Sequence, residues 1–372
     1  MTIDKRLQSV ISKFGFEGAL TECEEIKTGH IKSTYRLRFV PEDGAAREYA
    51  LQRINNYVFK KPAEVMENVQ LVTEHLSRAL AARGVDPRNR VLHLATTASG
   101  DAMVKDDEGG CWRAYDFIAH AVTVDRVESP AQFREIGRAF GDFQSMLSDF
   151  PIERLHETIL RFHDTRKRTV DFARSVELDV CKRAADVPEE IEAIRRRGPE
   201  MCRIVEMLEA GELPLRVTHN DTKINNVLLD EDTGEAMCVI DLDTVMPGSV
   251  LYDFGDAIRY GACTAAEDEK DLSKVSLDID LYAGFSEGFI EKTAGRLTQT
   301  ELENLPLGAM VMTYENALRF LADHLDGDVY YRIDYPGHNL DRARCQIRLL
   351  KDMEAHRDEM YSIVRELIQR YR

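Results

Sequence analysis

The chain has 372 residues, comfortable for two lobes and long for one hydrophobic core. Hydrophobic residues at 44% and charged residues at 31% describe an ordinary globular protein, and a formal net charge of −17 argues against nucleic acid or an anionic membrane as partner. No apolar run approaches the ~18 residues of a membrane span, the N-terminus lacks a signal-peptide core, and seven scattered cysteines without a Cys-x-x-Cys pair point to free thiols in a reducing cytoplasm.

From about Thr21 to Ile118 the pattern is mostly β. "EEIKTGHIKSTYRLRFV" predicts two strands around Thr28-Gly29-His30, and "REYALQRIN" predicts a third. Pro62 opens a helix that Gly84 can end. "VLHLATTA" and "CWRAYDFI" predict two more strands, completing a small, mostly antiparallel α+β lobe. Trp112, the single tryptophan, starts the last of these and is expected to pack between lobes.

Beyond Ile118 the pattern turns helical. Ser129 and Pro130 cap and start "SPAQFREIGRAFGDFQSML", and helical spacing returns over 187–210, 299–325 and 340–371. Arg195–Arg197 reads as a solvated helix face. One β island interrupts the helices: "NNVLLDEDTGEAMCVIDLD", two apolar strands around an acidic turn, predicts a hairpin. The boundary between lobes falls near 119–125, giving lobes at 1–119 and 120–372.

The hairpin carries the chemistry. In "HNDTKINN", Asp221 and Asn226 stand five apart, the spacing of a kinase catalytic loop, in which an aspartate accepts the acceptor's proton and an asparagine faces a metal. The return strand ends at Asp241, twenty residues after Asp221, and the hairpin brings it back beside Asn226. Magnesium takes one or two such oxygens plus phosphate and water, so Asn226 and Asp241 are the candidate ligands, with Asp243 close behind. The literal Asp-Phe-Gly at 253–255 lies 32 residues after Asp221, past the hairpin. Asp253 and Asp256 there read as structural carboxylates near a helix N-terminus. "GHIKST" lacks the glycines of a phosphate-binding P-loop.

"THNDTKINNVLLD", "CVIDLDTVMPG" and "YDFGDAIRYGA" together resemble the aminoglycoside phosphotransferase and choline kinase superfamily. "LQRIN", "VFKKPAEVMENVQLVTEHL", "LHETILRFHDTRKR" and "RFLADHLDGDVYYRIDYPGHNLDRARCQ" look most like its bacterial N-acetylhexosamine 1-kinases. The resemblance implies a bilobal protein-kinase-like fold and an enzyme using ATP and Mg2+. It further implies Asp221 as general base, Asn226 and Asp241 on the metal, and His30, Tyr260, Arg319 and Tyr330 against an N-acetylhexosamine. A related kinase carries Phe where Tyr260 stands. The adenine is expected near the backbone of Phe117–Ala119 and the phosphates beneath the Thr28–Ser33 turn. Where a protein kinase has Lys on its third strand, "ALQRIN" offers Gln52 and Arg53; Arg53, able to grip phosphate with a planar fork, is the expected cation, with Glu67 or Glu74 as partner. Two alternatives stay open: a kinase of the same fold acting on an amino alcohol or another hexose, and an inactive kinase-like binding protein.

Overall fold

The computed structural model describes residues 4–26, 34–42 and 44–372, so the expectations placed on Thr28, His30 and Ser33 lie outside the described residues. Alternating side chains in β1 (Ala19–Ile26), β2 (Thr34–Val40) and β3 (Arg47–Arg53) build an antiparallel meander, with Leu37, Phe39, Tyr49 and Leu51 buried. After β3 come β4 (Leu94–Ala95), β5 (Val104–Lys105) and β6 (Cys111–Asp116). β6 pairs with β3, and the two short strands pair with β6 to complete a six-stranded sheet. The sheet thus has one strand more than the sequence predicts, and "VLHLATTA" contributes only two residues to it.

Helix α1 (Lys5–Ile11), capped by Asp4, lays Leu7, Val10 and Ile11 against Leu37, Leu51 and Trp112 on one side of the sheet. Trp112 therefore packs within the sheet's own core, not between lobes. Its indole N–H donates to Asp106 at 2.8 Å. Helix α2 (Pro62–Ala82) buries Val65, Val69, Val72 and Leu76 in a second core with Cys111 and Tyr115 of the sheet. The same core takes Phe143, Leu147, Leu242 and Val245 from later in the chain. The joint between sheet and helices is therefore continuous hydrophobic packing.

The larger part is helical: α3 (Pro130–Met146), α4 (Thr165–Leu178), α5 (Pro188–Met201), α6 (Arg203–Glu209), α7 (Val250–Gly261), α8 (Ile279–Thr293), α9 (Gln299–Glu303), α10 (Leu305–Asp326), α11 (His338–Ala355) and α12 (Arg357–Tyr371). Ser129 accepts from the Gln132 N–H and so caps α3 as its sequence predicts. α10 is buried on nearly every side, as expected of a central helix with few charges, and packs on α4, α7 and α11. Its crossing with α7 is glycine on glycine: a Cβ on Gly255 would overlap the Gly308 carbonyl. Arg197 departs from the expected solvated face, because its guanidinium is buried in a pair with Glu354 at 2.6 Å.

Three short strand pairings seat the site between these parts. The expected hairpin is β9 (Val227–Asp230) with β10 (Ala236–Val239), joined by β7 (Ala121–Val122). Beside it, β8 (Arg216–Thr218) pairs with β11 (Met246–Gly248), a pairing the sequence pattern did not suggest. No helix among the described residues is long and apolar enough to cross a membrane. All seven cysteines are free.

Candidate active site

β8 delivers the chain to His219-Asn220-Asp221, and the backbone of this loop is held by several side chains. The carboxylate of Asp253 on α7 accepts the N–H groups of His219 (2.8 Å) and Asn220 (2.7 Å) and the Gln144 amide (2.6 Å). Thr222 donates its hydroxyl to the Asp253 carbonyl. Asp253 is 1% exposed. Burial pushes its carboxyl above the ordinary range, against the opposing pull of His219, Asn220 and Gln144. The sequence reading of Asp253 as structural is sharpened here: it caps the loop of Asp221 rather than its own helix, which Ser249 caps.

The His219 ring packs edge-on against Phe140 and Phe143. Its Nδ1 accepts the Asp221 N–H (3.3 Å) and its Nε2–H donates to the Ile240 carbonyl (2.8 Å), which joins the loop to the return strand of the hairpin. Asn220 holds a left-handed backbone (φ 63°) and donates from Nδ2 to the Thr244 carbonyl, while the Thr244 hydroxyl donates to the His219 carbonyl. A left-handed non-glycine residue is strained, and such strain persists only where surrounding bonds over-determine it.

The hairpin register sets the next contact. Val227 faces Val239, and the Ile240 N–H donates to the Asn226 carbonyl at 2.9 Å. Asp241 follows immediately, also left-handed (φ 61°, ψ 56°). Asn226 donates from Nδ2 to the Asp221 carbonyl at 2.8 Å, which leaves its amide oxygen as the atom a hard cation takes. Asp221, Asn226 and Asp241 are thus gathered at one end of the hairpin. Among the described residues no cluster of three or more His, Cys, Asp and Glu could hold a metal by itself. A carboxylate and an amide oxygen alone fit Mg2+, which keeps water and phosphate oxygens in its remaining positions.

Lys223 was not singled out from the sequence, yet its ammonium stands 3.1 Å from Asp221 Oδ1. The Asp221 carboxylate, with Asp256 and Glu267 farther off, holds Lys223 well above its ordinary range. Its position two residues past Asp221 was the available signal. Asp256, expected to be structural, pairs with Arg259 at 2.9 Å, and Arg259 reaches on to Glu267 at 2.6 Å. Tyr260, half-buried on the same helix, lies within electrostatic range of Glu267 and Lys223, and burial raises its phenol. Farther along, Arg319 on α10 stacks its guanidinium over Phe162 (5.6 Å), Tyr330 (5.9 Å) and Tyr331 (5.5 Å). Burial, partly opposed by Arg319, raises the Tyr331 phenol. Tyr330 is half exposed.

On the sheet side the structure rearranges the expectation. Arg53 sits on the face of β3 shared with Leu51, beside Gly110, exposed and without an ion pair among the described residues. Neither acidic candidate on α2 meets it: Glu67 bonds His156 at 2.8 Å and Glu74 bonds Gln70 at 3.0 Å. On the opposite face Gln52 accepts from Arg113 of β6 at 3.1 and 3.2 Å, and Arg113 forms an ion pair with Asp243. Burial would lower the Arg113 guanidinium; Asp243, with Tyr115 and Asp241, offsets this and holds it above its usual range. Asn68 of α2, buried at this joint, donates to the Val245 carbonyl at 2.9 Å. Of the residues expected at the adenine, Phe117 donates its N–H to the Glu48 carbonyl (2.9 Å) with Arg36 over its ring (4.6 Å), and Ala119 is exposed at the end of the same segment.

Residues 22–281 match the sequence model of a phosphotransferase enzyme family. In fold the chain is similar to the amicoumacin kinase hAmiN, solved with AMP-PNP, Ca2+ and Ami, with a TM-score of 0.59, 13% identity and 93% of each chain covered. It is also similar to an aminoglycoside phosphotransferase from Alicyclobacillus acidocaldarius (TM-score 0.56, 13% identity, 100% of this chain and 98% of that one). A choline kinase from Cryptosporidium parvum aligns comparably (TM-score 0.56, 14% identity, 93% of each). At such identities the likeness establishes the bilobal kinase-like fold.

Proposed function

This chain belongs to the phosphotransferase enzyme family, and we propose that it transfers the γ-phosphoryl group of ATP to the anomeric hydroxyl of an N-acetylhexosamine, releasing ADP and the sugar 1-phosphate. Residues 1–119 serve as the nucleotide-binding lobe and 120–372 as the catalytic and acceptor lobe. The observation that carries the transfer is the convergence of Asp221, Asn226 and Asp241 at one end of the hairpin. Asp221 orients the acceptor hydroxyl and takes its proton as the oxygen bonds to the γ-phosphorus and the bond to the β-phosphate oxygen breaks. Lys223 pairs with that carboxylate and adds a cation beside the moving phosphoryl group. Asn226 and Asp241 would hold Mg2+, which when bound neutralises charge on the phosphates. Phe117 and Ala119 are taken as the backbone beside which the adenine would lie. Arg53, exposed on the other face of β3, is not part of this reading.

The choice of a sugar over an amino alcohol rests on Arg319. An amino-alcohol site needs aromatic faces open to the substrate's cation. Here the faces of Phe162, Tyr330 and Tyr331 carry the chain's own guanidinium, and Arg168 adds a second, partly buried cation nearby. A neutral polyol able to accept hydrogen bonds from Arg319 suits this surface, with Tyr260 and Tyr330 beside it. An acceptor panel tests the reading: N-acetylglucosamine, N-acetylgalactosamine, the unacetylated hexosamines, choline and ethanolamine, each with ATP and Mg2+ and with phosphorus NMR to locate the new phosphate. The expected product carries phosphate on the anomeric carbon of an N-acetylhexosamine. Phosphocholine or phosphoethanolamine as the main product would overturn the sugar reading, and no phosphorylation of any acceptor would make the chain a binding protein.

A further inference from the structure

Asp241 is held in a conformation that a non-glycine residue rarely adopts, φ 61° and ψ 56°, and a single helical turn, Leu242–Thr244, follows it. Such a backbone needs outside support. One support comes from the loop, through Asn220 and Thr244. A second comes from α2, through Asn68 on the Val245 carbonyl. The third crosses from the sheet: Arg113 of β6, 1% exposed, forms an ion pair with Asp243, 3% exposed, in the middle of that turn.

Arg113 is itself aimed by its neighbours. Gln52 of β3 accepts from Nε and Nη2, and the guanidinium lies 5.1 Å from the Tyr115 ring centre, which leaves Nη1 for Asp243. A single fully buried ion pair is weak evidence of stability, because desolvating both charges cancels much of their attraction, and two apolar side chains of similar volume often replace it without loss. Its one distinctive consequence here is geometric. Among the described residues it is an ion pair by which the sheet grips the segment next to Asp241.

We propose that Arg113 is a positioning residue, which through Asp243 fixes the turn after Asp241 and so sets where the Asp241 carboxylate meets Asn226 when the metal–nucleotide arrives. This rests on reading Asn226 and Asp241 as the metal pair. The sheet's contribution to the metal edge then comes from β6, while β3 supplies only the neutral Gln52 that steers it.

The test is the paired variant Arg113→Met with Asp243→Leu, which removes both charges and keeps volume. Melting temperature, ATP affinity by calorimetry with and without Mg2+, and the Mg2+ concentration giving half-maximal turnover are measured. The account expects a melting temperature close to the parent's, unchanged metal-free ATP affinity, and apparent Mg2+ affinity weakened about 10–100-fold, the usual effect of losing a support behind a metal ligand. Arg113→Lys keeps the charge but loses the fork to Gln52, and is expected to shift Mg2+ in the same direction by less. A parent-like Mg2+ response in the folded paired variant overturns the proposal; if that variant does not fold, a parent-like response in Arg113→Lys does so. Asp241→Asn separates the two layers of the argument. A weakened Mg2+ response there, beside a parent-like paired variant, refutes the positioning role alone, whereas a parent-like response in Asp241→Asn refutes the metal pair itself.

Discussion

Replacing Asp253 by Asn separates a structural carboxylate from a metal ligand. In the parent, Oδ1 accepts the Asn220 N–H, and Oδ2 accepts both the His219 N–H and the Gln144 amide. The asparagine oxygen can serve His219 and Gln144, but its NH2 then faces the Asn220 N–H, leaving one buried backbone donor unmatched. An unmatched buried donor costs about 1–3 kcal/mol, and the remaining bonds lose the strengthening that a charged acceptor gives, so about 3 kcal/mol in all is expected. For a protein of 372 residues that lowers the melting temperature by about 4 °C. The assay is a thermal melt followed by circular dichroism, with ATP affinity measured below the transition. Turnover should fall as well, since the same two N–H groups place Asp221. A variant that melts with the parent but has lost its Mg2+ response would refute this reasoning and return the metal to the Asp-Phe-Gly letters.

Three further outcomes follow from the geometry. Asp106 is buried, which would raise its carboxyl, but the Trp112 indole, Arg6 and the Gly110 and Glu108 N–H groups hold it at about 2. A carboxyl lowered in the folded state stabilises above its unfolded value and loses that contribution as pH falls, so about 2 kcal/mol should disappear between roughly pH 4 and pH 2. Fluorescence of the single tryptophan during urea unfolding at each pH reads this, and Asp106→Asn should flatten the dependence; an undiminished slope in that variant would exclude Asp106 as its source. Gly255→Ala drives a methyl into the Gly308 carbonyl and should cost about 1–3 kcal/mol or more by forcing α7 and α10 apart; an unchanged melting temperature would contradict the packing. Arg319→Ala should raise the acceptor KM about 10–100-fold, the worth of hydrogen bonds from a charged group, with kcat less affected. An unchanged KM would remove Arg319 from the acceptor site.

The hairpin was legible because its information is local. Short apolar runs at 227–229 and 236–239 around an acidic turn define both strands, and their pairing forces Asp241 back to Asn226. Parity and long-range contact defeated the rest. Whether Gln52 or Arg53 faces the site depends on a one-residue choice of sheet face that the polar pair at the end of β3 does not announce. Arg113 is one charge inside an apolar strand, and its meaning appears only when β6 pairs with β3 and lies over Asp243, 130 residues later. Asp253 was recognised as structural, but the bonds that explain it span more than thirty residues. Trp112 packs under α1 rather than between lobes, and a strand pattern does not say which face α1 will cover.

The most direct test of the account is Asp221→Asn. The change keeps the side chain's shape and the loop's backbone bonds but removes the proton acceptor. Turnover of an N-acetylhexosamine is expected to fall about 100–10,000-fold, as for loss of a general base, with ATP affinity and melting temperature close to the parent's. Turnover near the parent's in a folded, nucleotide-binding Asp221→Asn protein would contradict the central claim.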